Sequence, residues 1–120
     1  KWSPETSSRR SSRTIPQTVT DLRLSSAAGE DLIEIRLYSL NEFGGPVADD
    51  YLRGFEKAFD RLREYPKLGS LTPELGNGVR CLIHRRHRIL YEINDDTLVV
   101  LRVIHSARRP SRTLLENSGE

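Results

Sequence analysis

Residues 79–104 read VRCLIHRRHRILYEINDDTLVVLRVI, and the hydrophobic pattern of this stretch decides the fold. Apolar side chains occupy alternate positions before and again after the pair Arg85 and Arg86. A period of two is typical of β-strands whose two faces meet different surroundings. We therefore predict two strands joined by a tight connection at these arginines.

The next apolar run, residues 97–104, follows the turn residues Asn94, Asp95 and Asp96. Its side chains are apolar in both phases of the strand period, with one Arg as the exception. Strands covered on both faces have this composition. The run is predicted to be an interior strand of the sheet.

Upstream of these strands the apolar spacing becomes that of helices. Ser25 and Ser26 offer N-cap hydroxyls for a first helix, which we expect to end at Gly44 and Gly45. Pro46 suits the first turn of a second helix. Because the glycine connection is so short, the two helices are predicted to form an antiparallel hairpin.

A short strand from position 18 precedes the helices, and residues 66–78 are rich in Pro and Gly, as in a loop. The predicted order is therefore β-α-α-β-β-β. This order describes an α+β fold in which one helical hairpin packs on one sheet. Leu114 and Leu115 are expected to fold back as a final hook.

The chain has 120 residues, of which 36% are hydrophobic and 30% charged, which suits one modest domain. Residues 1–17 are rich in Ser, Thr, Arg and Pro, and we expect a disordered arm or an extension there. The domain is placed at residues 18–115, and residues 116–120 are expected to be a disordered tail. No apolar run is long enough for a membrane span, and no secretory h-region opens the chain, so a cytoplasmic protein is expected.

The charge of the chain is divided by region. Residues 21–78 carry seven bases against eleven acids, whereas residues 79–112 carry eight Arg against three acids. This asymmetry predicts a face that meets an acidic partner, either protein or nucleic acid, although a solvated Arg-rich surface gives the same count.

Several side chains of the basic region are candidates for binding or catalysis. Arg80, Arg88 and Arg102 could converge on one face of the sheet and bind phosphate, with direct nucleic-acid contact as a secondary possibility. His84, His87 and His105 could provide acid–base groups for RNA cleavage, but histidines at strand ends are more often spacers. No metal site and no cofactor are expected, since Cys81 stands alone and no ligand cluster accompanies the histidines.

The first helix carries more apolar surface than its packing on a sheet requires. Ile33, Leu37 and Leu40 form a second stripe beside the one that faces the sheet. Either the second helix covers this stripe, or the stripe is a docking site for a partner.

Five segments in order resemble the ParE branch of the RelE/ParE toxins, which are the toxins of bacterial type II toxin-antitoxin systems. They are LRLSSAAGEDLIEI, the Phe43–Gly44 helix end, YLRGFEKAFDRLREYPKLG, VRCLIHRRHRILYEI and LRVIHSARRP. The resemblance implies a helical hairpin on a twisted, largely antiparallel sheet, which agrees with the periods above. Gly29 and residues 1–17 depart from the usual pattern.

The resemblance also implies a function. Members of this branch are held inactive by a cognate antitoxin, and the best-known ones poison DNA gyrase by binding rather than by catalysis. The RelE branch cleaves ribosome-bound mRNA, and for that alternative the matching residues are Arg80, Arg88, Arg102 and His105. Because no Tyr, Phe or Trp follows Tyr91, the ribonuclease alternative is the weaker one. A non-toxic or degenerate binding module is the third hypothesis.

On this basis we assign hypothetical roles. The gyrase-binding residues are expected at the basic edge of the sheet and in the tail: Arg85, Arg86, His105, Arg108 and Arg109. The antitoxin is expected to bind the stripe Ile33, Leu37 and Leu40, through a docking segment that is acidic where it covers cationic surface.

Overall fold

The computed structural model describes residues 19, 21–108, 110–111 and 114–115. This part of the chain forms one strand, then two helices, then four strands, with one 3-10 turn at Pro73–Leu75. Their bounds are β1 Asp21–Leu24, α1 Ser26–Phe43, α2 Gly45–Glu64, β2 Ser70–Leu71, β3 Arg80–His84, β4 His87–Asn94 and β5 Thr97–His105.

The strands form one mixed sheet in the order β1-β5-β4-β3-β2. β1 runs parallel to β5, and every other neighbouring pair is antiparallel. The predicted α+β class and largely antiparallel sheet are confirmed, the predicted elements follow one another along the chain as expected, and β5 is interior. The two-residue β2 lies in the stretch predicted to be a loop, because two residues are too few to show a period.

The ends of the helices follow from local chemistry. The Ser25 hydroxyl accepts a hydrogen bond from the Ala28 N–H at 3.0 Å and donates one to the Leu101 carbonyl at 2.8 Å, so it caps α1 and fixes it to β5. Gly44 adopts a φ of 89°, which a side chain would strain, and the chain turns directly into α2. Pro46 stands in the first turn of α2, as predicted.

Both faces of the sheet are covered. The helices pack on one face over a cluster that includes Phe55, Leu62, Ile89, Tyr91 and Val100. The opposite face carries a second cluster of Leu75, Val79, Leu90, Leu101 and Ile104, against which Leu114 and Leu115 pack. The predicted final hook is therefore confirmed.

An irregularity between β4 and β5 positions the end of the sheet. Leu90 pairs with Arg102, but Tyr91 pairs with Val100, so Leu101 is an extra residue on β5. β1 pairs with β5 only as far as Val100. Beyond that point, α1 rather than another strand lies along the edge of β5, which leaves a groove between the helices and the strand.

Candidate functional site

A groove of about 670 Å³ opens between α1, the start of α2 and the end of β5. α1 contributes its middle and last turns, α2 its first two turns, and the β3–β4 turn closes one end. The lining residues are Asp31, Glu34, Ile35, Tyr38, Ser39, Phe43, Val47, Tyr51, Arg86, His87, Val103, Ile104, His105 and Arg108.

Part of the helical wall of this groove is apolar and open to solvent. Tyr38 is 63% exposed, Phe43 60% and Val47 50%. Large apolar side chains grouped on a surface mark a place where another molecule binds. Phe43 lies at the helical spacing of the core residues Leu32 and Ile35, but it is the last residue of α1 and extends past the sheet into the groove.

The other end of the groove is basic, and we call Arg86, His105 and Arg108 the cationic mouth. Arg86 belongs to the tight β3–β4 turn, in which Arg85 adopts a left-handed φ of 56°. The Arg86 carbonyl accepts a hydrogen bond from the Ser106 N–H at 2.7 Å. This bond joins the turn to the end of β5, and it explains why arginines distant in sequence line the same groove.

Two histidines and a tyrosine meet beside the mouth. His87 and His105 are paired across β4 and β5, with ring centroids 5.4 Å apart. The Tyr51 hydroxyl lies 2.7 Å from Nδ1 of His87. Burial, followed by the nearby His105 and His84, lowers the pKa of His87 to about 4. His87 is therefore neutral at pH 7, and its Nδ1 forms a hydrogen bond with the Tyr51 hydroxyl.

The structure does not bring Arg80, Arg88 and Arg102 together. Arg80 pairs with Tyr91 on the helical face of the sheet, whereas Arg88 pairs with Ile104 on the opposite face. Each guanidinium also bonds within the protein. Arg80 donates to the Gly69 carbonyl at 2.7 Å, Arg88 to the Ser106 carbonyl at 3.3 Å, and Arg102 to the Asp31 carboxylate at 2.7 Å.

The residues assigned to target binding lie close together where the structure describes them. Arg86, His105 and Arg108 all line the groove, and Arg85 stands beside them with its guanidinium carbon 5.7 Å from the centre of the Tyr51 ring. Arg109 lies outside the described residues.

The residues assigned to antitoxin binding are exposed and do not line the groove. Ile33 is 61% exposed, Leu37 57% and Leu40 42%, and we call these three residues the outer stripe. At 100° per residue, the outer stripe lies on the flank of α1 that faces away from Asp31 and Tyr38, which line the groove. α2 does not cover the stripe.

Sequence reasoning missed the groove itself. Val47 and Tyr51 belong to the apolar stripe of α2, and nothing in their spacing separates a groove residue from a core residue. Tyr51 acquires its role only because β4 brings His87 beside it.

Across residues 21–108, no three His, Cys, Asp or Glu side chains are grouped as a metal site needs. The helices in that range are not apolar enough over sufficient length to cross a membrane.

Comparison with known proteins adds relatives and a family. A family model described as "ParE toxin of type II toxin-antitoxin system, parDE" matches residues 22–110. The chain is 33% identical over 92 residues to Toxin ParE1 of Mycobacterium tuberculosis, covering 76% of this chain and 94% of the relative. It is 29% identical over 85 residues to Toxin ParE1 of Caulobacter vibrioides, covering 71% of this chain and 88% of the relative.

Two solved structures share the fold. One is a chromosomal ParDE toxin-antitoxin system from P. aeruginosa, with a TM-score of 0.63, 19% identity, and coverage of 72% of this chain and 96% of that one. The other is the toxin-antitoxin complex RelBE2 from Mycobacterium tuberculosis, with a TM-score of 0.56, 28% identity, and coverage of 78% and 98%. Since the family model spans most of the chain and a curated ParE toxin is 33% identical over three quarters of it, the chain belongs to the ParE toxin family of type II toxin-antitoxin systems.

Proposed function

We propose that this toxin inhibits DNA gyrase in the cytoplasm by direct binding, and that a cognate antitoxin neutralises it. The observation that carries the proposal is the cationic mouth, where Arg86 and Arg108 are exposed and line the end of an open groove. The proposal also assigns target binding to Arg85 and, outside the described residues, to Arg109. Exposed guanidinium groups at the end of a rigid strand are suited to binding an acidic protein surface.

The internal bonds of the sheet arginines favour binding over catalysis. RNA cleavage requires cations that stabilise a developing negative charge. Two arginines that matched the ribonuclease pattern already have partners within the fold. Arg80 donates a hydrogen bond to a backbone carbonyl, and Arg102 donates to a carboxylate. Using either in catalysis would break a bond that supports the fold.

The antitoxin is proposed to bind the groove and to continue onto the outer stripe. A segment with apolar side chains fits Tyr38, Phe43 and Val47, and acidic side chains at its end fit Arg86 and Arg108. Bound in this way, the antitoxin covers the cationic mouth and blocks the proposed target surface.

Supercoiling by purified gyrase tests the proposal. We expect the toxin to inhibit supercoiling, and the double variant Arg86→Glu with Arg108→Glu to need at least tenfold more protein for the same inhibition. The matched control is Arg23→Glu with Lys67→Glu, two exposed positions outside the groove that change the net charge equally. Supercoiling that is unaffected by the wild-type toxin contradicts gyrase as the target.

Ribosome-dependent mRNA cleavage is the second candidate function. His87 pairs with His105 beside two exposed arginines, and this arrangement favours mRNA cleavage. The neutral imidazole of His87 and the exposed imidazole of His105 could together carry out the proton transfers of the reaction. The structural similarity to the RelBE2 complex also favours this second candidate.

A translation reaction that reports mRNA cuts separates the two candidates. Cuts that appear with the wild-type toxin and disappear with His105→Ala establish the ribonuclease and remove the gyrase proposal. Normal growth when the toxin is expressed without its antitoxin supports instead a non-toxic binding module.

A further inference from the structure

A second surface feature lies on another flank of α2 and shares no residue with the groove. It is a shallow depression of about 210 Å³ between α2 and the β3–β4 turn, and we call it the basic depression. Its lining residues are Asp50, Arg53, Gly54, Lys57, Ala58, Arg61, His84 and Arg85.

The cations of the basic depression are regularly placed. Arg53, Lys57 and Arg61 follow one another at intervals of four residues, so they occupy successive turns on one flank of α2 and extend over about 12 Å. Arg85 adds a fourth positive charge from the β3–β4 turn. Gly54 and Ala58 lie between these side chains and leave room for a ligand, because neither has a side chain longer than a methyl group.

None of these cations forms an ion pair within the described part of the chain. Ion pairs there join Arg36 to Asp49, Arg63 to Asp60, and Arg102 to Asp31, and none includes a cation of the basic depression. Asp50 is the single acid that lines it. Four cations beside one carboxylate attract an anionic ligand.

His84 adds an independent observation. Its ring packs on Phe55, with centroids 4.9 Å apart, and a Cβ at Gly54 would stand only 3.2 Å from its Nε2. That nitrogen is buried and has no hydrogen-bond partner among the described residues. A buried polar nitrogen without a partner costs about 1 to 3 kcal/mol, so the imidazole at the floor of the depression is poorly satisfied in the absence of a ligand.

We infer that the basic depression binds the phosphate backbone of double-stranded DNA. A straight row of cations on a rigid helix matches a regularly spaced row of phosphates, whereas a single phosphate would need only one or two of them. The proposed contact is with phosphates alone, and phosphate contacts carry no sequence information. The contact is therefore sequence-independent.

Fluorescence anisotropy of a labelled random-sequence duplex, titrated with the purified full chain in the absence of gyrase, tests this inference. We expect the triple variant Arg53→Gln, Lys57→Gln and Arg61→Gln to bind at least tenfold more weakly at low salt. We also expect the slope of log K against log salt concentration to be smaller in magnitude by about 2 to 3 for this variant. Each lost phosphate contact removes about 0.9 from that slope.

The matched control is Arg23→Gln, Arg36→Gln and Lys67→Gln, which removes three exposed cations elsewhere. Equal loss in both triple variants overturns the inference, since net charge alone would then explain binding. Failure of the wild-type chain to bind duplex also overturns it, as does tighter binding of duplex RNA of the same sequence.

An NMR titration of the His84 ring distinguishes a small anion from DNA. Duplex is expected to shift this resonance at lower concentration than inorganic phosphate or a nucleoside triphosphate does. The reverse order overturns the DNA assignment in favour of a small-anion site. Because gyrase is absent from both measurements, failure here leaves the supercoiling test of the proposed function unaffected.

Discussion

Arg102 and Asp31 form a bidentate ion pair that joins β5 to α1. Nε of Arg102 lies 2.7 Å from Oδ2 of Asp31, and Nη2 lies 2.9 Å from Oδ1. The Val103 N–H donates to the same Oδ2 at 2.9 Å, on the edge of β5 that β1 no longer covers. Both side chains are nearly buried, and this contact raises the pKa of Arg102. The pair therefore holds the wall of the groove in place.

Breaking this pair is expected to destabilise the fold. Arg102→Gln and Asp31→Asn should each lower the free energy of unfolding by about 2 to 4 kcal/mol, because each leaves a poorly solvated charge without its partner. Denaturant unfolding monitored by circular dichroism measures the change. The exposed pair Arg63 and Asp60 supplies the control, and Arg63→Gln should cost less than about 1 kcal/mol.

If Arg102→Gln lowers the free energy of unfolding no more than the control does, a structural role for Arg102 is contradicted. That result would also reopen the possibility that its guanidinium serves a phosphate. Any toxicity assay of this variant therefore needs the folded fraction measured beside it.

Tyr91 supports the loop after α2 through its hydroxyl. This hydroxyl donates to the Pro66 carbonyl at 2.7 Å and accepts from the Gly69 N–H at 2.9 Å, and the side chain is fully buried. We expect Tyr91→Phe to lower the free energy of unfolding by about 1 to 3 kcal/mol, since two backbone groups lose their partner. Thermal and denaturant unfolding measure it. Tyr65→Phe, at a 59% exposed position, is the control and should change little.

The large elements of this fold could be predicted because their signals are local. Ser25 caps α1, Gly44 ends it, and the period of two marks β3 and β4, all through interactions within a few residues. The strand β2 could not be predicted, since it depends on the Ser70–Cys81 pairing and not on its own composition.

The candidate site was only partly predictable, because it depends on register. The basic end of the chain was visible in the charge count, and Arg86, His105 and Arg108 do meet. The separation of Arg80 from Arg88 follows from the β3–β4 register, which pairs Arg80 with Tyr91, and the bulge at Leu101 shifts the β4–β5 register that places Arg102. Neither feature leaves a periodic trace in sequence.

Acid is expected to weaken the fold through His87. Its pKa is about 4 in the folded chain and near 6.5 when unfolded, so the unfolded chain binds a proton that the folded chain lacks. The stability due to neutral His87 is complete above pH 6.5 and is lost as the pH falls towards 4. Because the ring is half-buried and partly screened by water, we expect the free energy of unfolding to fall by about 1 to 2 kcal/mol over this pH range.

Unfolding of the wild type and of His87→Gln, compared between pH 7 and pH 5, isolates this effect. Burial also lowers the pKa of His84, so the variant should lose part of the pH dependence and not all of it. Identical pH dependence in the two proteins would contradict the prediction. Titration of the His87 ring by NMR gives the pKa directly.

The two apolar surfaces of α1 can be tested separately for antitoxin binding. Val47→Glu places a carboxylate in the groove, and Leu37→Glu places one on the outer stripe. Each is expected to weaken binding of the cognate antitoxin at least tenfold. Burying the new carboxylate in the complex requires its desolvation, which is unfavourable. Isothermal titration calorimetry measures the affinity, and growth rescue by the antitoxin provides a second readout.

Leu71→Glu is the matched control, since Leu71 is 55% exposed on β2 and lines neither surface. A loss with Val47→Glu alone would restrict the antitoxin to the groove and remove the role proposed for Ile33, Leu37 and Leu40. An equal loss with Leu71→Glu would contradict both surfaces, because added negative charge would then account for the effect. The surfaces lie on different flanks of α1, so an antitoxin that binds both must wrap around this helix, and the double variant should bind more weakly than either single variant.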